Sequence, residues 1–182
     1  PDVTYVKVKQ GDTYYYMAEA LCETVLKEGY EIIKRYKGTD LERKEYHPLF
    51  DDIDYSADKK CHYVVCDNYV TTEDGTGIVH IAPAFGEDDN RIGVKYDLPF
   101  FQFVDSKGCM TENTPWAGTF VKDADPIILT TLRERGLLFA APQFEHSYPF
   151  CWRCDTPLIY YATDSWFIKM TAVRDDLVRN NN

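Results

Sequence analysis

The chain's pattern predicts an α+β fold, with a curled mixed sheet or partly closed β-barrel core and about three peripheral helices. Three observations carry this. Tyr and Phe are abundant, 14 and 10 among 182 residues, and such rings suit a pleated, half-buried surface. Short alternating or apolar runs recur along the chain, each bounded by Gly, Pro or Asp. Only three stretches show helical periodicity with start and stop signals, and they fall among the strand-like runs in mixed order. Apolar residues at 45% and charged residues at 27% are ordinary for a globular protein. The length suits one core, so residues 1–182 read as a single domain, with an exit segment over approximately 144–182.

Taken in order, residues 4–9 (Thr-Tyr-Val-Lys-Val-Lys) alternate like an edge strand, and Gly11-Asp12 turn the chain into the aromatic run 14–17. Residues 18–28 predict a helix with Leu21, Val25 and Leu26 on one face and Gly29 as its stop. Residues 31–36 predict a short strand, 39–50 a loop, and 51–60 an exposed acidic connection. Residues 62–66 read as a strand, 73–77 as a turn, and 78–82 (Ile-Val-His-Ile-Ala) as a buried strand stopped by Pro83. Residues 86–96 predict a helix that opens on Glu87, Asp88 and Asp89, the charge a helix N-terminus prefers. Residues 100–104 read as a strand, with turns at Gly108 and Gly118. The pair Asp125-Pro126 predicts the cap and first turn of a helix that runs to Arg135 and stops at Gly136. Residues 137–139 and 157–161 read as strands.

Composition narrows the function classes. No run approaches the roughly 20 apolar residues of a membrane helix, and residues 1–4 lack the order of a signal peptide. The first residue is Pro1, so a fragment of a longer protein is expected. A net charge of −10 argues against a free nucleic-acid binder, whose affinity rests on neutralising phosphate; contact with RNA at one spot remains compatible with it. Six cysteines at mostly irregular spacing read as reduced thiols in a cytoplasmic protein. A monomer with no membrane association is expected.

The stretch richest in chemistry is residues 75–89, Gly-Thr-Gly-Ile-Val-His-Ile-Ala-Pro-Ala-Phe-Gly-Glu-Asp-Asp. A glycine turn, a strand, a proline stop and an acidic helix start bring backbone N–H groups, the His80 imidazole and carboxylates around one concavity. The same residues also fit a plain β-turn, a core histidine and a solvated helix start. The stretch resembles the signature of the editing insertion in the isoleucine, valine and leucine tRNA ligases, in the form most similar to the isoleucine member. Other segments agree in order: residues 38–41 with 46–50 (Tyr-His-Pro-Leu-Phe), although Arg43 stands where a Gly is more familiar, then 67–70, then 146–154 followed by Ser165, Trp166 and Phe167. The last of these resembles the return into the synthetic domain.

The resemblance implies hydrolysis of Val mistakenly joined to tRNA(Ile). A pocket that fits Ile cannot strongly exclude the smaller Val, so a second, tighter pocket admits Val and rejects Ile; isoleucine–tRNA ligase is itself the standard example of this double sieve. Asp89 matches the carboxylate that holds the substrate's α-ammonium, and His80 the imidazole lining the side-chain pocket. Together they are the expected catalytic pair. Ala84, Phe85 and Gly86, with Ala82 and Pro83, match the wall between them, while Glu87 and Asp88 are expected to be solvated. The reaction would use a positioned water and the free ribose hydroxyl of the terminal adenosine. No metal is implied there, although an acidic cluster is also compatible with a divalent cation.

The resemblance further implies partners: the 3′ end of tRNA(Ile) carrying Val, and the remainder of the ligase. The family's other pocket wall, a threonine-rich strand, is expected before Pro1; Thr114-Pro115-Trp116 reads as a turn instead. The alternative function is therefore a fragment that binds aminoacyl-adenosine analogues without turnover. A free-standing deacylase fits less well. No cofactor is expected for editing, whereas the parent enzyme would use ATP, whose signatures this chain lacks. Cys151 and Cys154 have the spacing of half a Zn site, which a Cys pair elsewhere in the parent would complete; no metal is expected in the fragment.

Overall fold

Strands β1 (Thr4–Gln10), β2 (Thr13–Ala18) and β3 (Tyr30–Lys37) form one antiparallel sheet in the order β2-β1-β3. The structure, a computed structural model, describes residues 1–55, 58–143 and 147–181. Helices follow at α1 (Cys22–Leu26), α2 (Gly38–Leu41), α3 (Glu87–Tyr96), α4 (Val121–Glu134) and α5 (Met170–Asn180), with a 3-10 turn over Glu19–Leu21 before α1. The α+β class holds. The sheet, however, is antiparallel, three-stranded and open, where a mixed and partly closed one was expected.

β1 lies at the centre of the sheet and not at its edge. Its register pairs Lys7 with Tyr16 and with Lys34, and Lys9 with Tyr14, so the lysines and tyrosines share one face. Val6 and Val8 point the other way, fully buried with Met17, Cys22 and Leu26. Each such side chain contributes about 1.5–3 kcal/mol by leaving water. Tyr5 lies on the lysine face but is buried too, in a second cluster with Ala18, Leu21 and Leu41. The alternation resembled an edge because only part of the lysine face is covered.

The helix expected over 18–28 is shorter. It ends at Leu26, where Lys27 takes φ 63°, and the Gln10 amide of β1 donates to the Leu26 and Glu28 carbonyls at 3.1 and 2.9 Å. α2 is a single turn inside the expected loop, held because the Asp40 carboxylate accepts the Lys37 N–H at 2.8 Å. α4 begins at Val121, before the expected Asp125 cap, and so carries Pro126 internally; the early start buries Ala124 completely. Its end is the expected Gly136, where the Leu137 N–H returns to the Leu132 carbonyl at 2.9 Å and Gly136 N–H to Arg133 at 3.1 Å, a Schellman closure. α5 was not foreseen, and none of its residues is buried.

Residues 62–66, 100–104, 137–139 and 157–161 do not join the sheet. Among the described residues they form at most isolated bridges, Glu45 with Tyr63, Val104 with Met110 and Phe150 with Pro157. Proline at 99 and 157 lacks the donor a ladder needs, and His62 at φ 57° turns the chain out of an extended path. Residues 78–82 are extended but unpaired, with Ile78 and Val79 exposed, so the buried strand expected there is not present. Thr114 to Trp116 is a turn, as expected: the Thr114 hydroxyl donates to Thr111 at 3.0 Å, and Trp116 packs edge-on against Phe50.

Candidate active site

Two contacts fasten the 75–89 stretch to the sheet. The Ala18 N–H donates to the Thr76 carbonyl at 2.8 Å, and the Tyr5 hydroxyl to the Gly77 carbonyl at 2.7 Å. Gly77 is required here twice over. Its φ is +72°, and a Cβ would stand 2.6 Å from that of Ala18. Beyond it the chain runs extended through His80 to Pro83, turns through a Phe85 N–H bond to the Ala82 carbonyl at 2.8 Å, and enters α3 at Gly86.

The helix start is built around Asp89, which is half-buried. Its Oδ2 accepts the Ala82 N–H at 3.0 Å, closing the extended segment onto the helix, and its Oδ1 accepts the Tyr69 hydroxyl at 3.4 Å. An ionised carboxylate has about four lone-pair sites, so two remain for a cation. Tyr69 was not singled out from the sequence. Burial, the Asp89 charge and the bond to Asp89 push its pKa up to about 12, so it stays a donor at neutral pH. Glu87 and Asp88 are exposed, as expected.

α3 is held from below by a carboxylate that sequence reasoning also missed. Asp67 accepts two bonds from the Arg91 guanidinium, at 3.0 and 3.1 Å, and one from Lys95 at 3.1 Å. These cations hold its carboxyl well below the usual range, and Asp67 with Asp88 raises Arg91 in turn. The Tyr96 hydroxyl donates to Glu42 at 2.7 Å and accepts the Cys66 N–H at 3.1 Å, and the Tyr63 hydroxyl donates to the Tyr96 carbonyl at 3.1 Å, so both ends of the 63–67 segment are tied to the helix. Pro83 packs on Gly93, where a Cβ would meet the ring at 2.9 Å.

A cavity of about 580 Å³ opens between the sheet, α2 and this junction, with Tyr5, Leu41, Tyr69, Ile78, His80 and Ile92 among its walls. A second, of about 280 Å³, lies beyond and is lined by His80, Pro83 and Phe85 among others. Tyr46, Tyr63, His80 and Ile81 border both. His80 is exposed and makes no hydrogen bond among the described residues. Asp89 reaches the larger cavity only through Tyr69. Ala84 is buried, its carbonyl accepting the Ala162 N–H at 3.0 Å, and Gly86 caps α3; neither lines either of these two cavities.

Other reactive groups are quieter. Cys61 Sγ and His62 Nδ1 lie 3.2 Å apart, but burial pushes the thiol up and the imidazole down, the reverse of an activated thiolate pair. Cys151 and Cys154 sit on a tight knuckle closed by the Cys151 N–H to Thr156 and the Asp155 N–H to Cys151, each 2.9 Å. The Thr156 hydroxyl and the Cys151 thiol lower the Cys154 thiol. Among the described residues no group of three or more His, Cys, Asp or Glu side chains is placed to hold a metal. His146 and the start of the exit segment lie outside the described residues.

No protein-family profile matches the chain. It is 52% identical over 179 residues to an isoleucine–tRNA ligase of Clostridium novyi, covering 98% of this chain and 17% of that protein. A Streptomyces avermitilis isoleucine–tRNA ligase is 46% identical over 183 residues, and one from Thermococcus kodakarensis 44% over 197; both matches take in the whole of this chain, and 17% and 18% of those proteins. The chain spans less than a fifth of the length of these relatives. The chain corresponds over nearly its whole length to one segment of the isoleucine–tRNA ligases of these organisms.

Proposed function

We propose that this segment is the editing domain, and that it hydrolyses Val from mischarged tRNA(Ile) by admitting Val and rejecting Ile. The observation that carries the reading is the junction at Asp89. A carboxylate with two free acceptor sites is fixed by the Ala82 N–H and by Tyr69, whose ring lines the larger cavity. The α-ammonium of the aminoacyl ester would bind Asp89, and its side chain would lie against His80. Water would then attack the ester carbonyl, and the terminal ribose oxygen would leave with a proton. No residue here resembles an activated nucleophile, so the chemistry asked of the protein is placement of ester and water, which alone is worth several orders of magnitude in rate. Neither ATP nor Zn is given a part in this step; ATP is expected of the proposed parent, and Zn only where a second Cys pair completes the site begun by Cys151 and Cys154.

Deacylation of Val-tRNA(Ile) and Ile-tRNA(Ile) by the chain, alone and joined to the segment preceding it in its relatives, tests the reading. Faster loss of Val than of Ile supports it. Tight binding of a valyl-adenosine analogue without turnover in either form would leave only the binding alternative. Equal loss of both esters would remove the size sieve.

A further inference from the structure

Asp89 has room for a cation, yet it borders neither cavity; Tyr69, which bonds to it, lines the larger one. Asp67 and Glu45 also line that cavity, and neither is free. Asp67 accepts two bonds from Arg91, one from Lys95 and the Asn68 N–H at 2.9 Å, which fills its acceptor sites. Glu45 is paired with Lys60. Asp89 itself is closed on one flank. Its Oδ2 holds the Ala82 N–H, and it packs so near Gly86 that a Cβ there would stand 3.0 Å away. Its Oδ1 faces the Tyr69 hydroxyl at 3.4 Å. A cation arriving from the cavity therefore meets the phenol first.

We propose that Tyr69 is the cavity-facing half of the ammonium site, its oxygen accepting from the α-ammonium while its hydrogen points to Asp89. This rests on the editing reading, which gave Tyr69 only the task of holding the carboxylate. A phenol oxygen accepts and donates at once, and among the described residues no group donates to this one. Burial first, then the Asp89 charge, keep the hydroxyl protonated at neutral pH. Accepting from a charged donor strengthens the bond it makes in turn, so the contact to Asp89 should shorten when the site fills. The arrangement has a reason in solvation. Leu41, Ile78 and Ile92 line the cavity, and a bare carboxylate among them would lose its water without replacement. Set one residue back, Asp89 keeps two protein donors and acts through the phenol. An ester without a free amine gains nothing from that charge, so Tyr69 selects the amine.

The test uses a full-length isoleucine–tRNA ligase carrying this segment. Its substrates are tRNA(Ile) esterified to Val or to 2-hydroxyisovalerate, the same acid with a hydroxyl in place of the amine. Tyr69→Phe keeps the ring and removes the oxygen. It should raise KM for the Val ester on the order of tenfold and leave kcat within about twofold. Both constants for the hydroxy ester should stay as in the wild type. In an Asp89→Asn background the same change should add little, since the two residues act on one cation. In the wild type the labelled Tyr69 Cζ resonance should shift with an amine ligand and not with its hydroxy twin, a readout that needs no variant to fold. An equal loss for both esters would make Tyr69 a structural residue and overturn the proposal, as would an unchanged KM for the Val ester. If the wild type hydrolyses neither ester, the editing reading falls, and binding decides the role of Tyr69. Valine joined by an amide to 3′-amino-3′-deoxyadenosine should then bind the wild type about tenfold tighter than Tyr69→Phe, and its hydroxy twin should bind both alike. No such difference would remove the ammonium site.

Discussion

Asp89 already accepts the Ala82 amide and the Tyr69 hydroxyl, so its substitution tests substrate and junction together. Asp89→Ala removes charge-assisted bonds to an ammonium, each worth roughly 1.5–3 kcal/mol. Val-tRNA(Ile) hydrolysis should fall on the order of 10–100-fold, while activation of Ile by a full-length ligase carrying the change stays normal. If Asp88→Ala has that effect and Asp89→Ala does not, the ammonium anchor is one residue off. His80, which borders both cavities, is expected to act differently, as a wall of the side-chain pocket and not as a charge anchor. A smaller residue there should admit Ile, since one extra methylene in a tight pocket otherwise costs about 1–3 kcal/mol; measurable hydrolysis of Ile-tRNA(Ile) by His80→Ala is the expected result. Both residues could be singled out from the sequence because each belongs to one contiguous motif. Tyr69 and Asp67 were not, because their partners lie 20 to 28 positions away and only the fold brings them together.

At the level of elements, α3 was legible from its acidic start and apolar spacing, and it forms over Glu87–Tyr96 as expected. Its anchorage was not, and it has a pH signature. Arg91 and Lys95 hold the Asp67 carboxyl below its ordinary value. The stability this contributes is complete above the unfolded-chain value, about 3.9, and is lost as pH falls through the lowered one. The thermal midpoint of the wild type should therefore drop below about pH 4 more steeply than that of Asp67→Asn, which starts lower at neutral pH; parallel curves would assign the anchorage elsewhere. Gly93→Ala drives a Cβ against the Pro83 ring, with an overpacking cost of about 1–3 kcal/mol, and should impair editing by shifting the 82–86 segment that Pro83 belongs to. The strands past Lys37 were over-read for one reason. Short apolar runs signal burial as readily as pairing, and here several bury side chains while their backbones run between prolines and left-handed turns.

For the whole molecule, charge and metal set the expectations. With a net charge of −10, tRNA binding by the chain alone should be weak and shallow in salt; a sub-micromolar Kd at physiological salt would contradict this. Cys151 and Cys154 supply two thiolates, half of a structural Zn shell. Elemental analysis should find no stoichiometric Zn, and one ion per chain resisting mild chelation would mean that further ligands close the site. No helix among the described residues is long and apolar enough to cross a membrane. The α+β class was legible from composition and punctuation, but sheet closure was not, since pairing partners are a property of the fold and not of any window of sequence.

The bond from the Ala18 N–H to the Thr76 carbonyl has a consequence in time. Every strand pairing of the sheet lies within Thr4–Lys37, so its loops close early and at small entropic cost. Ala18 belongs to that sheet, yet its own amide waits for a partner that the chain must return 58 positions to deliver. In refolding followed by pulsed hydrogen exchange, the amides linking β1 to β2 should become protected first and Ala18 later, together with the helix that carries Asp89. The junction at Asp89 would then form after the sheet, and be lost before it when stability is marginal.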